Sequence, residues 1–192
     1  MDGPTHATAD ATTNAVALEF LRASRKYFLY YQILGSRALD QVPEAKIQHH
    51  PEESNSLAVI VKHMAGNMHS RWSNLFGSDG ETSNRDRDAE FAEDNRTKSE
   101  ILKEWTAGWN VFFTAFNALE PADLTRTITI RGEPISVIEA LQRQLAHYAH
   151  HTGQIVYLAK AVVGPDWQSL SIPKGESAAF NQQMLEQTKG LL

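Results

Sequence analysis

The sequence predicts an all-α protein with one short β-hairpin, and three observations support this fold class. Four long segments repeat apolar residues with the helical period, polar or turn-forming stretches separate them, and capping residues precede three of them. A chain of 192 residues fits one ordinary domain. We predict a disordered tail over residues 1–12, because its residues are small and polar. We predict a single helical domain over residues 13–192.

The first predicted helix runs from about Ala15 to Leu39 and stops before Pro43. The second follows Ser54-Asn55-Ser56, a cluster of capping residues, and runs to about Phe76, before a glycine.

Capping boxes start the third and fourth predicted helices. The third begins at Thr97-x-x-Glu100 and runs to about Leu119, and the fourth begins at Ser136-x-x-Glu139 and runs to Val163. Aromatic residues form a stripe at helical spacing on the third helix, which is typical of a core face: Trp105, Trp109, Phe112, Phe113 and Phe116.

Shorter features surround these helices. Residues 127–135 alternate apolar and polar residues around a glycine, which predicts a short hairpin between the third and fourth helices. The segment 77–95 is charged, and we interpret its run Asp86–Glu90 as a solvated loop, with a lid over a site as the alternative. An amphipathic stretch from Glu176 to Leu185 predicts a short C-terminal helix.

Composition excludes several classes of function. The chain has no cysteine, so a metal site must use nitrogen and oxygen ligands. The net charge is -5 without a basic stripe, which argues against a nucleic-acid partner. No apolar run is long enough to span a membrane and the N-terminus lacks a signal-peptide pattern, so we expect a cytoplasmic protein with no membrane partner.

Histidines on the second and fourth predicted helices form a candidate metal site. His147 and His151 are four residues apart, one helical turn on one face, which is the spacing at which two imidazoles can hold one ion. Helical projection places both on the flank of the apolar face, with His63 on the flank of the second helix, and turns His69 and His150 outward. The alternative is three core histidines, each satisfied by a neighbour.

Polar residues border His63 on its own helix and predict the wall of a hydrated cavity: Asn67, Ser70, Arg71 and Asn74.

Two motifs together resemble the DinB-like (damage-inducible) metal-binding superfamily, in a bacterial branch of unassigned function. They are S-L-A-V-I-V-K-H-M-A-G-N, ending at Asn67, and H-Y-A-H-H-T-G-Q-I, ending at Ile155. The resemblance covers about residues 15–180. It implies an up-down four-helix bundle with a crossover connection and frequent homodimers.

The resemblance also implies a divalent metal ion held by His63, His147 and His151. Asn67 stands where many relatives have an acidic residue, so a mechanism that needs a carboxylate there lacks it. Asn67, Arg71 and Gln154 are candidate residues for substrate binding or for support of the ligands, and the sequence assigns no catalytic residue.

Three neutral imidazoles would leave an open coordination position on zinc, nickel, iron, cobalt or manganese, among which the sequence does not choose. An ion there would activate a bound water or thiol at neutral pH. One hypothesis is a thiol-dependent S-transferase-like enzyme acting with a low-molecular-weight thiol. A hydrolase is a variant of it, although the chain has no H-E-x-x-H motif. The alternative is a non-catalytic, metal-stabilised dimeric helical module or a metal or stress sensor.

Overall fold

The computed structural model describes residues 5–51, 54–81 and 85–189, and it confirms the all-α fold class. Within these residues the helices are α1 (Thr5–Gln41), α2 (Leu57–Trp72), α3 (Arg87–Glu90), α4 (Lys98–Asn117), α5 (Val137–Val163) and α6 (Ser177–Lys189). The predicted hairpin is present as β1 (Thr127–Ile130) and β2 (Glu133–Ser136).

Helix α1 begins ten residues earlier than predicted and includes residues 5–12 of the predicted disordered tail. The physical reason is that the sequence contains no glycine or proline from Thr5 to Leu34, and alanines at alternate positions favour the helix. Residues 1–4 of the predicted tail lie outside the described residues.

The predicted capping residues hold the N-termini of the other long helices. Ser56 accepts a hydrogen bond from the backbone N–H of Val59 at the start of α2. Thr97 and Glu100 form the complete capping box of α4. Ser136 accepts from the backbone N–H of Glu139 and caps α5. Local sequence therefore fixes where these three helices start.

The four long helices form a bundle. Helix α2 packs mainly on α4 and α1 packs mainly on α5, and the pairs α2 with α5 and α1 with α4 complete the ring. Since α1 has α4 and α5 as its main neighbours, α1 and α2 lie across the bundle from each other, which is the predicted crossover connection.

An aromatic cluster fills the centre of the bundle. The ring centroids of Phe28 on α1 and Phe112 on α4 are 4.4 Å apart, and those of Trp109 and Tyr148 are 5.1 Å apart. All four side chains are fully buried. The predicted aromatic stripe of α4 is therefore a core face, with Phe113 at its partly buried edge.

The hairpin joins the loop after α2 to the end of the bundle. Arg131 and Gly132 form its two-residue turn with positive φ angles of 55° and 76°. The carboxylate of Asp79 accepts hydrogen bonds of 2.7 Å from both of their backbone N–H groups. This contact fixes the loop against the hairpin beside α2 and α5.

The predicted C-terminal helix is present as α6, but residues 171–186 are exposed throughout. No helix among the described residues combines the length and the hydrophobicity required to cross a membrane.

Candidate metal centre

The bundle brings His63, His147 and His151 together. His63 comes from α2, and the other two come from successive turns of α5. One ring nitrogen of each lies within 4.8 Å of the other two, and the Nε2 atoms of His63 and His147 are 3.2 Å apart. His69 and His150, which the helical projection turned outward, are exposed.

The separation between the ring nitrogens of His63 and His147 fits a shared ion. Two nitrogens bound to one tetrahedral ion at about 2.0–2.1 Å lie about 3.3 Å apart. The separation of 3.2 Å between His63 and His147 is close to that value. An all-nitrogen donor set suits zinc and the other first-row metals named from the sequence.

Oxygen acceptors orient two of the three rings. The Nδ1 atom of His63 lies 3.0 Å from Oε2 of Glu90, and the Nδ1 atom of His151 lies 2.7 Å from Oε1 of Gln154. Because a carboxylate and an amide oxygen only accept hydrogen bonds here, each Nδ1 carries the proton and each Nε2 keeps its lone pair. Gln154, which the sequence suggested as a supporting residue, thus contacts a histidine of the triad.

The third ring has an amide partner. Nε2 of Gln144 lies 3.1 Å from Nδ1 of His147 and 2.7 Å from Oδ1 of Asn67. Donation from Gln144 leaves the imidazole proton of His147 on Nε2, which faces the triad. Rotating the amides of both Gln144 and Asn67 by half a turn would instead let the Gln144 oxygen accept from Nδ1 of His147 and from the Asn67 amide, and would free Nε2 of His147 for an ion.

Burial keeps the α5 histidines uncharged at neutral pH. Burial, with smaller effects from His151 and His63, lowers the pKa of His147 from 6.5 to about 3. Burial also lowers the pKa of His151 from 6.5 to about 4, against an opposing hydrogen bond to Gln154. Neutral imidazoles can bind a metal ion without first losing a proton.

Glu90 is a site residue that the sequence interpretation missed. The run 86–90 was interpreted as a solvated loop, and this was wrong for Glu90, which is 7% exposed. Asp86 accepts from the backbone N–H of Ala89 and caps the short helix α3, which carries Glu90 to His63. The sequence signal for the burial of Glu90 was the aromatic residue Phe91, which directly follows the charged run. In the structure the ring centroids of Phe91 and His63 are 4.8 Å apart.

A glycine and an arginine hold Glu90 in place. A Cβ atom on Gly66 of α2 would lie 2.1 Å from Oε1 of Glu90, so only glycine lets the carboxylate approach the helix this closely. Arg85 donates to both oxygens of Glu90 at 2.7 Å. Burial raises the pKa of Glu90, but its hydrogen bonds with His63 and Arg85 outweigh that effect and lower it below the ordinary value. Glu90 is therefore a buried anion that balances Arg85 and accepts from His63.

Two histidines of the triad border a cavity of about 320 Å³, and His151 does not line it. His63 and His147 line it, together with Asn67, Arg71 and Gln144. Arg71 is buried, contacts Oε2 of Glu81 at 2.8 Å and donates to the Gly80 carbonyl. Of the predicted polar wall beside His63, Asn67 and Arg71 line the cavity, whereas Ser70 donates to the Gly80 carbonyl and Asn74 is exposed outside the lining.

Comparison with known proteins places the chain in a family. A family profile described as "Protein of unknown function (DUF1572)" matches residues 15–176. A search of curated proteins gives no match. The matched residues include α2, α5, the hairpin and all three histidines of the triad, and the chain belongs to the DUF1572 family.

Proposed function

We propose that the protein is a DinB-like metal-dependent enzyme that holds a divalent ion on His63, His147 and His151. The observation that carries this proposal is that two histidines of the triad, His63 and His147, line a cavity instead of being enclosed by the core. A structural site surrounds its ion with four protein ligands, whereas a catalytic site keeps a position open to a small molecule. Among the described residues, these three histidines are the only cluster of three or more histidine, cysteine or carboxylate side chains that could hold an ion.

The surrounding residues support ligand binding by the triad. In the neutral imidazoles, the hydrogen bonds to Glu90 and Gln154 place the ring proton of His63 and His151 on Nδ1, and Gln144 can do the same for His147. An ion held there would lower the pKa of a water or a thiol bound to it.

A reaction with a thiol cosubstrate suits this cavity better than hydrolysis by a metal-bound water. Hydrolysis by an activated water normally uses a carboxylate or another base beside the metal. No carboxylate is found among the described residues that line the cavity, and Glu90 is held by His63 and Arg85. A thiol bound to a metal ion loses its proton without a separate base. We therefore propose an S-transferase-like reaction with a low-molecular-weight thiol.

Elemental analysis tests the metal site. Protein purified without a nickel column should contain about one equivalent of a divalent metal, and His63→Ala, His147→Ala and His151→Ala should each lose most of it. His69→Ala and His150→Ala are the matched controls, because both side chains are exposed on the same helices. Retention of metal by all three triad variants would overturn the assignment.

Activity is tested separately with metal-loaded protein, several bacterial thiols and model electrophiles. We expect thiol consumption above the rate given by the free metal, and loss of that rate in His147→Ala. No rate above metal alone with any of the thiols would contradict the transferase proposal.

A non-catalytic, dimeric module is the second candidate, because the triad joins α2 to α5 and an ion would cross-link two helices. Exposed apolar residues on α1, such as Tyr27, Tyr30 and Ile33, favour a homodimer, which size-exclusion chromatography with light scattering can test. A large loss of melting temperature on metal removal, without an exchangeable water on the ion, would favour this function over catalysis.

A further inference from the structure

The cavity beside the triad concentrates positive charge. Five of the ten arginines of the chain line it, although the net charge of the chain is -5: Arg71, Arg85, Arg87, Arg131 and Arg143. No lysine and no acidic residue is among the described residues of its lining. The positive charge is therefore a local feature of this cavity.

Two of the arginines are buried and paired. Arg85 makes a two-pronged contact of 2.7 Å with Glu90, and Arg71 contacts Glu81 at 2.8 Å. These pairs form the inner wall and hold the loop after α2 against the helices.

The other three arginines are exposed at the rim. Arg131 contacts Glu81 at 3.1 Å, but this carboxylate is already shared with Arg71. Arg143 lies 3.4 Å from Glu133, and both side chains are more than half exposed, so their attraction is weak. Arg87 lies over the ring of Phe91 at 5.1 Å and has no acidic partner among the described residues.

Four of the five guanidinium groups are thus in contact with carboxylates, and the carboxylates that they share are three: Glu81, Glu90 and Glu133. Asp79 and Asp86 keep their negative charges while they accept hydrogen bonds from backbone N–H groups, but neither of them lines the cavity. The excess positive charge faces the cavity, where a partly enclosed site screens charges less than bulk water does.

We propose that this cavity binds the anionic end of a small molecule, a carboxylate or phosphate group, while the other end of that molecule reaches the triad. Arginine presents paired N–H donors that match the oxygens of both groups. A volume of about 320 Å³ suits a small molecule and not a polymer. The position of the second end rests on the proposed function, because His63 and His147 line the same cavity as the arginines.

Anion titration tests the arginine part of the proposal independently of metal. Inorganic phosphate and succinate are titrated calorimetrically into zinc-loaded and metal-free protein at constant ionic strength, with chloride as the reference anion. We expect at least one of them to bind more tightly than chloride. Tighter binding of succinate assigns the site to carboxylates, and tighter binding of phosphate assigns it to phosphate groups.

Charge-removing variants locate that binding. The double variant Arg87→Gln/Arg143→Gln should weaken it by about tenfold or more. Both side chains are exposed, so folding should be unaffected, which circular dichroism checks. The pair Arg22→Gln/Arg37→Gln is the matched control, because it removes an equal charge from two exposed arginines on α1 and should leave binding unchanged. Binding no tighter than that of chloride, or unchanged in the double variant, would overturn the proposal.

A pair of thiols tests whether one end of a ligand contacts the arginines while its thiol binds the metal ion on the triad. The visible spectrum of cobalt-loaded protein is followed on addition of 3-mercaptopropionate, which carries a carboxylate, or of neutral mercaptoethanol. We expect the charged thiol to bind about tenfold more tightly, and this preference to disappear in the double variant.

The outcomes separate the two proposals. Equal affinity for both thiols would overturn the link between the arginines and the triad and leave the metal-dependent function standing. Failure to take up cobalt would contradict the proposed function, and the titrations of metal-free protein would then decide on the anion site alone.

Discussion

The carboxylate of Glu90 lies 3.0 Å from Nδ1 of His63, although 27 residues separate the two in sequence. Both side chains are buried, and Arg85 donates to both oxygens of the carboxylate. The contact fixes the tautomer in which His63 directs an unprotonated Nε2 toward His147 and His151.

Glu90→Ala should lower metal affinity by about 10–100-fold, because His63 would lose the acceptor that orients its ring. Competition with a chromogenic chelator measures the change. Asp88→Asn, an exposed charge on the same short helix, is the control and should bind metal like the parent protein. Equal affinities in the two variants would show that Glu90 does not support the site.

Gly66→Ala should weaken metal binding without touching any ligand. The new Cβ would lie 2.1 Å from Oε1 of Glu90 and would displace the carboxylate from His63. Gly153→Ala on α5 is the matched control, because no atom lies within 4 Å of its Cβ position, and it should stabilise the helix by about 0.5–1 kcal/mol. Chelator competition measures the metal affinity of both variants, and thermal unfolding measures their stability. Unchanged metal affinity in Gly66→Ala would contradict the role of this close approach.

Substitutions of Gln144 should change metal affinity in opposite directions. Gln144→Glu presents only acceptor oxygens to Nδ1 of His147 and should increase affinity, because the imidazole proton then stays away from Nε2. Gln144→Leu removes the partner and should decrease affinity. Calorimetric titration of metal into both variants tests the direction, and a decrease in both would contradict it.

Stability of the metal-free protein should fall as the pH decreases from about 6.5 to about 5. Burial lowers the pKa values of His147 and His151 to about 3 and about 4, whereas the unfolded chain titrates near 6.5. In this interval the unfolded state therefore binds more protons than the folded state, and protonation favours unfolding. This pH interval lies above the ordinary pKa of glutamate, so histidines and not carboxylates titrate within it.

Urea unfolding at several pH values measures that slope. The double variant His147→Gln/His151→Gln should have a smaller slope, since it removes both groups. A slope equal to that of the parent protein would mean that other groups cause the pH dependence.

The sequence alone determined the bundle and the identity of the triad. Periodicity and capping residues located the long helices, because both act between residues a few positions apart along the chain. The same periodicity selected His63, His147 and His151 over His69 and His150, and the structure brings these three together. The early start of α1 at Thr5 escaped prediction because small polar residues carry little periodic signal.

Only the tertiary structure decided what surrounds the histidines. Glu90 belongs to a charged run that is typical of a solvated loop, and its burial depends on Gly66 of α2 and on Arg85, which local patterns do not connect. The cluster of five arginines likewise draws on α2, the following loop, α3, the hairpin and α5. Charges that are far apart in sequence share a cavity only after the helices pack, so the sequence indicated a metal site and only the structure placed the arginines beside it.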